Sequence, residues 1–205
     1  MDVFNYIKSF LSSDHTSLDY LAKEYDVRRD IQPSVGLEVG KFLGMLIRLT
    51  GATRILELGS CIGYSTMWLS EGMKQTNGKV ISIEYNKKLY DEAKENLAHA
   101  NLLEYAELIH GDANNIVKQL PGKFDIILQD SNKLLYPDLL EQCIKLTRKN
   151  GIIIADDTLF KPMDIPNELS DPVHRYNELV FSDKRLYSTI LPIGDGITVS
   201  VKLDD

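Results

Sequence analysis

Arg54-Ile55-Leu56-Glu57-Leu58-Gly59-Ser60-Cys61-Ile62-Gly63-Tyr64-Ser65 decides how the rest of this 205-residue chain is read. A short apolar run passes into a glycine turn, and an amphipathic segment with Met67, Trp68 and Leu69 follows directly. Strand, tight turn and helix in that order place backbone N–H groups and a helix N-terminus beside the carboxyl end of a buried strand. Such a place suits an anionic or ribose-bearing ligand.

Three ligand classes use a loop of this kind. A phosphate loop needs four residues between its glycines and then Lys-Ser/Thr. Here Ser60, Cys61 and Ile62 alone separate Gly59 from Gly63, and Tyr64 stands where the lysine would be. A dinucleotide loop wants G-x-G-x-x-G, and the side chain of Cys61 would obstruct a pyrophosphate at the second glycine position. The third class is the acidic-Leu-Gly loop that binds S-adenosylmethionine, a ligand with no phosphate and no need of three glycines. In that reading Glu57 pairs with the ligand's ammonium, while Ser65 and the turn amides receive its carboxylate. On this stretch alone, an ordinary strand–turn–helix remains open beside it.

Working outward, the chain alternates strand and helix from Thr53 onward. Strands are predicted at Arg54–Leu58, Val80–Glu84, Ala106–His110, Phe124–Gln129 and Gly151–Ala155, and helices at 64–73, 87–100, 113–119 and 136–147. Ile126-Ile127-Leu128 and Ile152-Ile153-Ile154 are continuously apolar, as in parallel strands covered on both faces. Asn86 is a predicted helix N-cap, and Asn150-Gly151 reads as a helix exit or turn. Leu186–Leu191 and Ile197–Val201 read as a closing hairpin. Ahead of this core, Val3, Phe4, Ile7, Phe10 and Leu11 recur at helical spacing, and further helices are expected over 18–25 and 36–49. The expectation is one α/β domain spanning 1–205, with N-terminal helices in 1–50 and an open Rossmann-like core in 51–205. Its sheet is mostly parallel, with helices on both faces and a C-terminal antiparallel hairpin.

Composition narrows the partners. Charged residues make up 26% and hydrophobic ones 43%, ordinary for a globular protein. No apolar run approaches the roughly 20 residues of a membrane span, and the start lacks the basic and apolar regions of a signal peptide; a cytoplasmic protein is expected. A net charge of −7 without a Lys/Arg block argues against nucleic acid, whose binding rests on clustered cations. Cys61 and Cys143 imply no disulfide framework.

Carboxylates gather at the predicted strand ends. Glu84 ends the second strand, 25 positions after Gly59, where an acidic residue commonly accepts both hydroxyls of a ribose. Asp112, after His110-Gly111, suits an adenine amino group, a helix cap, or both. Gln129-Asp130-Ser131-Asn132-Lys133 and Asp156-Asp157-Thr158 end the fourth and fifth strands. If those strands are neighbours, their axes lie about 4.8 Å apart and three carboxylates converge. A cation resolves their repulsion, and an all-oxygen set suits a hard divalent ion such as Mg²⁺. Caps and a surface pair to Lys133 are the plainer alternative.

These residues together resemble the cation-dependent O-methyltransferases, the group containing catechol and caffeoyl-coenzyme A O-methyltransferases and small bacterial homologues. The resemblance runs from about Ile31 to Val201. It is carried by Leu56-Glu57-Leu58-Gly59, Gly63-Tyr64-Ser65, Gln129-Asp130, Lys133, Asp156-Asp157-Thr158-Leu159-Phe160 and Leu191-Pro192-Ile193-Gly194-Asp195-Gly196-Ile197. It implies a class I methyltransferase fold, S-adenosylmethionine, and a divalent cation, Mg²⁺ before Mn²⁺ or Ca²⁺. It implies metal ligation by Asp130, Asp156 and Asp157, and catalytic roles for Lys133, as proton acceptor, and Asp130. Contacts to S-adenosylmethionine are implied for Val35, Glu57, Gly59, Tyr64, Ser65, Glu84, Asp112, Ala113 and Asp130. A small phenolic acceptor with a vicinal diol and a homodimer are implied as well. A metal-independent methyltransferase and a non-catalytic S-adenosylmethionine-binding module are the rival readings.

Two departures from the family pattern matter. Asp157 stands where the family usually has Asn, adding a negative charge. Asn132 and Phe160 fall at positions that vary between branches beside the acceptor. Arg175, Tyr176 and Asn177 match a segment that borders the acceptor, although a surface helix face is the plainer reading. His15 and His99 read as solvated helix positions, and Cys61 as a packed small residue.

Overall fold

The computed structural model describes residues 3–12 and 16–204. Expectations that fall on His15 and on the side chain of Phe4 lie outside the described residues. Three helices come first: α1 (Val3–Lys8), α2 (Thr16–Val27) and α3 (Gly36–Thr50). The core follows as β1 (Arg54–Leu58), α4 (Tyr64–Thr76), β2 (Lys79–Glu84), α5 (Lys87–His99), β3 (Ala106–His110), α6 (Ala113–Ile116) and β4 (Phe124–Gln129). It continues with α7 (Tyr136–Leu146), β5 (Thr147–Ala155), α8 (Asn167–Ser182), β6 (Leu186–Leu191) and β7 (Ile197–Lys202).

The seven strands are ordered β3-β2-β1-β4-β5-β7-β6. β1 to β5 pair in parallel, and β7 and β6 close the sheet antiparallel. Because side chains alternate along a strand, Ile55 faces one apolar layer with α3 and α4, while Leu56 and Leu58 face the other with α7 and α8. Both layers are closed, as the apolar runs of β4 and β5 require.

The strand order reverses between β1 and β4, the place where doubly wound sheets open a crevice at the carboxyl ends of their strands. Here the two ends nearly touch. Gly59 has φ +97°, and a Cβ added there would lie 2.4 Å from the carbonyl oxygen of Asp130. The Asp130 N–H donates to the Leu58 carbonyl at 3.0 Å, and the Gly59 N–H to Ile83 at 2.9 Å. Gly59 is therefore demanded by backbone approach as well as by any ligand.

The structure corrects several expectations. Asn150-Gly151 is not a helix exit: β5 begins at Thr147. Residues 147–152 bulge opposite 124–126 of β4, with Asn150 in the left-handed region at φ +58°. The helix expected over 113–119 is four residues long, Ala113–Ile116. On α1, whose packing the sequence leaves open, the described apolar side chains stay outside the core, with Val3 70% and Ile7 42% exposed.

Replacing Gly59 by Ala is expected to destabilise the protein by more than about 2 kcal/mol, combining left-handed strain with the collision at Asp130. Urea unfolding measures this directly. A loss below about 0.5 kcal/mol would show that the crossing relaxes at little cost.

Candidate active site

The first half of the site is built on the loop after β1. Glu57 is wholly buried in the last turn of strand before Gly59. Its Oε2 accepts the hydroxyls of Thr66 on α4 and Ser82 on β2. Its Oε1 is buried and has no partner among the described residues, and neither has the Ser60 hydroxyl. An unpartnered buried carboxylate oxygen is costly, so a donor from outside is the economical completion. Burial pushes the Glu57 carboxyl up to about 7; the hydroxyls of Ser65, Ser82 and Thr66 oppose this, and the charge of Asp130 adds to it.

Glu84, 8% exposed, props the same loop. Its Oε2 accepts the Cys61 N–H at 2.9 Å and its Oε1 the Asn86 N–H at 2.8 Å. Each oxygen keeps a free lone pair for a diol. Asp112 caps α6, accepting the Asn114 N–H at 2.9 Å, with Ala113 buried beside it. The cap reading of Asp112 is thus realised. Val35 immediately precedes α3 and is buried. The ring of Tyr64 is buried edge-on to Tyr25 and Trp68. What the first turn of α4 offers there is backbone N–H, at Tyr64 and Ser65.

The second half lies at the ends of β4 and β5. One carboxylate oxygen from each of Asp130, Asp156 and Asp157 falls within 4.8 Å of the others. Lys133, in a single 3-10 turn capped by Asn132, reaches into the group. Its Nζ donates to Asp130 at 2.9 Å and lies 2.7 Å from Asp157. Burial and Asp157 push Asp130 up to about 6, against the pull of Lys133. Burial, Asp130 and Asp157 hold Asp156 well above the usual carboxylate range. Burial by itself would lower Lys133, but Asp130, Tyr136, Asp157 and Asp156 outweigh it and keep the amine an ammonium. One ammonium against three carboxylates leaves an excess of negative charge in a hard, all-oxygen donor set, which fits a divalent cation.

Several supporting residues were not foreseen. Asn96 on α5 donates to the Ile62 carbonyl at 2.9 Å and steadies the glycine loop. Tyr25 on α2 brings its hydroxyl to the Cys61 thiol. That thiol is pushed up by burial, which suits a packed residue and not a nucleophile. Ser82 did carry a signal, as a lone polar residue within Val80-Ile81-Ser82-Ile83. On α8, Arg175 is exposed and pairs with Glu178, but the surface-face reading fails for its neighbours. Tyr176 is fully buried, and Asn177 donates to the Thr158 carbonyl at 2.9 Å while accepting the Thr198 hydroxyl. His99 is exposed as expected. The hairpin turn is fastened to the loop after Asp157, with Leu159 N–H donating to the Asp195 carbonyl at 3.0 Å.

Comparison with known proteins places the chain in a family. The sequence profile of the O-methyltransferase family matches residues 8–203. A catechol O-methyltransferase of Niastella koreensis is 31% identical over 166 residues, 77% of this chain and 75% of that protein. A caffeoyl-CoA O-methyltransferase of Populus kitakamiensis is 28% identical, covering 83% of this chain and 78% of its own length. Among solved structures, an O-methyltransferase from Bacillus cereus in complex with SAH superposes with a TM-score of 0.85 at 28% identity, covering 97% of this chain and 96% of that one. Sequence and fold agree, and the chain belongs to the O-methyltransferase family.

Proposed function

We propose that this enzyme transfers a methyl group from S-adenosylmethionine to one hydroxyl of a small catechol-like acceptor, with a divalent cation at Asp130, Asp156 and Asp157. The observation that carries the reading is the junction of two half-sites at Gly59 and Asp130: an unpartnered buried carboxylate oxygen on one side, three converging carboxylates and a lysine on the other.

Glu57 receives the donor's ammonium on its open oxygen, and Glu84 accepts the ribose hydroxyls. Gly59, Ser65 and the first amides of α4 accommodate its carboxylate end. Val35, Asp112 and Ala113 border the remainder. A divalent cation, Mg²⁺ in the first instance, supplies Lewis acidity that lowers the pKa of a nearby hydroxyl and orients a vicinal diol. Asp130, Asp156 and Asp157 would hold it. Lys133, its pKa lowered by a cation held beside it, takes the acceptor's hydroxyl proton as the neutral amine; as an ammonium it would instead stabilise the oxyanion, with that proton leaving to water. The acceptor oxygen then forms its bond to the methyl carbon as the carbon–sulfur bond breaks, and the electron pair stays on sulfur as S-adenosylhomocysteine. Holding the two reactants in line is where most of the acceleration arises, of a kind worth roughly 7–11 kcal/mol.

The N-terminal helices support a homodimer. The described apolar side chains of α1 are exposed, as are Met45 and Leu49 on α3. Among the described residues no helix is long and apolar enough to cross a membrane. A small phenolic acceptor remains the proposed partner, with no role for nucleic acid.

Three outcomes are expected. Turnover on a catechol panel should be lost after exhaustive EDTA treatment and return with Mg²⁺; undiminished turnover in metal-free protein would favour a metal-independent methyltransferase. Lys133→Ala should lower kcat by roughly a hundredfold or more while S-adenosylhomocysteine affinity by calorimetry stays unchanged; wild-type turnover would remove Lys133 from the chemistry.

The third outcome concerns pH. Glu57 titrates near 7 in the ligand-free protein, above its ordinary 4.5. The folded state therefore holds a proton that the unfolded chain releases between about 4.5 and 7. Stability from this group is lost as pH rises through that window, by on the order of 3 kcal/mol. The ionised form is the one that pairs with the ligand's ammonium. Affinity for S-adenosylhomocysteine should thus rise roughly fivefold from pH 6 to pH 7, following the ionised fraction. Glu57→Gln should bind weakly with a flat profile, and an unchanged profile in that variant would contradict the assignment.

A further inference from the structure

Tyr136 opens α7 three residues after Lys133, and its side chain is 0% exposed. Its hydroxyl accepts a hydrogen bond from Lys133 Nζ at 2.9 Å. Its single proton goes to the carbonyl oxygen of Gln129 at 2.8 Å or of Asp156 at 3.2 Å. Gln129 is the last residue of β4 and directly precedes Asp130; Asp156 follows the last residue of β5. One phenol therefore touches the ends of both strands that carry the carboxylates, and the lysine between them. Gln129 answers in kind, its Nε2 donating to the Tyr136 carbonyl at 3.0 Å. The Lys133 ammonium also lies over the Tyr136 ring, 5.0 Å from its centroid.

We propose that the Tyr136 hydroxyl is a positioning group for methyl transfer. It keeps the Lys133 amine at the acceptor and fixes the spacing of the strand ends that present Asp130, Asp156 and Asp157. The proposal rests on the reading that Lys133 acts on the acceptor hydroxyl. Lysine has a flexible four-carbon stem, so an amine that must meet one oxygen needs an anchor. Two of the three partners of Lys133, Asp130 and Asp157, are carboxylates with a second task in the proposed site. The phenol is the neutral partner, and it stays available whatever the carboxylates bind. Tyr176 provides an internal comparison. It packs edge-on to Tyr136 at 5.5 Å and is equally buried, yet its hydroxyl has no partner among the described residues.

The test is a set of four variants assayed on the best acceptor of a catechol panel: Tyr136→Phe, Tyr176→Phe, Lys133→Ala and the double variant Tyr136→Phe/Lys133→Ala. Phenylalanine keeps the ring and removes only the hydroxyl. Tyr136→Phe should lower kcat roughly tenfold, with KM for S-adenosylmethionine and affinity for S-adenosylhomocysteine within about twofold of wild type. Tyr176→Phe should leave kcat unchanged. Because Tyr136 acts through Lys133, the double variant should match Lys133→Ala within about twofold. Wild-type kcat in Tyr136→Phe overturns the proposal, and so do losses that multiply in the double variant. A Tyr136→Phe protein that no longer binds S-adenosylhomocysteine shows a structural hydroxyl and overturns it too. Lys133→Ala read alone separates the two ideas: wild-type turnover there sinks the lysine's role itself, whereas a loss confined to Lys133→Ala sinks only that of Tyr136.

Discussion

The structure turns on the close crossing of two strand ends at the point where the sheet reverses direction. Gly59 lies against the Asp130 carbonyl with no room for a Cβ, and the backbone hydrogen bond from Asp130 to Leu58 locks the pair. A methyl donor and its acceptor must come within van der Waals distance in a fixed line. In the proposed site, joining the donor loop to the acceptor carboxylates through backbone achieves this without relying on mobile side chains. Glu57 and Asp130 are near enough that the charge of Asp130 adds to burial in raising the Glu57 carboxyl.

Charge is the second organising constraint. Asp130, Asp156, Asp157 and Lys133 form a largely buried cluster in which one positive group is shared by carboxylates that outnumber it. Buried unbalanced charge is destabilising unless something compensates it. Asp157, a charged residue where the resemblance leads one to expect Asn, makes the imbalance larger, and its Oδ2 lies 2.7 Å from Lys133. Asp157 also sits in the left-handed region at φ +61°, a conformation that Asp and Asn tolerate better than most residues. The backbone thus explains why one of these two residue types stands there, and the lysine accounts for the accommodation of the charged one.

Much of this was legible in the sequence because it depends on local pattern. The strand–glycine–helix of 54–65, the apolar runs of β4 and β5 and the closing hairpin all read correctly, and β4 and β5 are neighbours as the carboxylate argument required. What escaped has a physical cause in each case. The bulge at Asn150-Gly151 depends on how β5 meets β4, a pairing between segments that no local signal encodes. The ring of Tyr64 packs edge-on to Tyr25, from a helix about forty residues earlier, a contact no local signal encodes. Tyr136 was invisible as a site residue because its hydroxyl serves two carbonyls that become neighbours only when the sheet forms. The apolar spacing of α1 signals a helix but not what it packs against, and its described side chains remain exposed.

The central claim is that donor and acceptor half-sites meet across Gly59 and Asp130. A crystal structure of the protein with S-adenosylhomocysteine, Mn²⁺ and a catechol tests it most directly. The account predicts one anomalous Mn²⁺ peak within coordination distance of Asp130, Asp156 and Asp157, with the ligand's amino group on Glu57 and its sulfur facing a catechol oxygen. A manganese peak away from the three carboxylates, or a ligand bound with Glu57 Oε1 still unpaired, would contradict it.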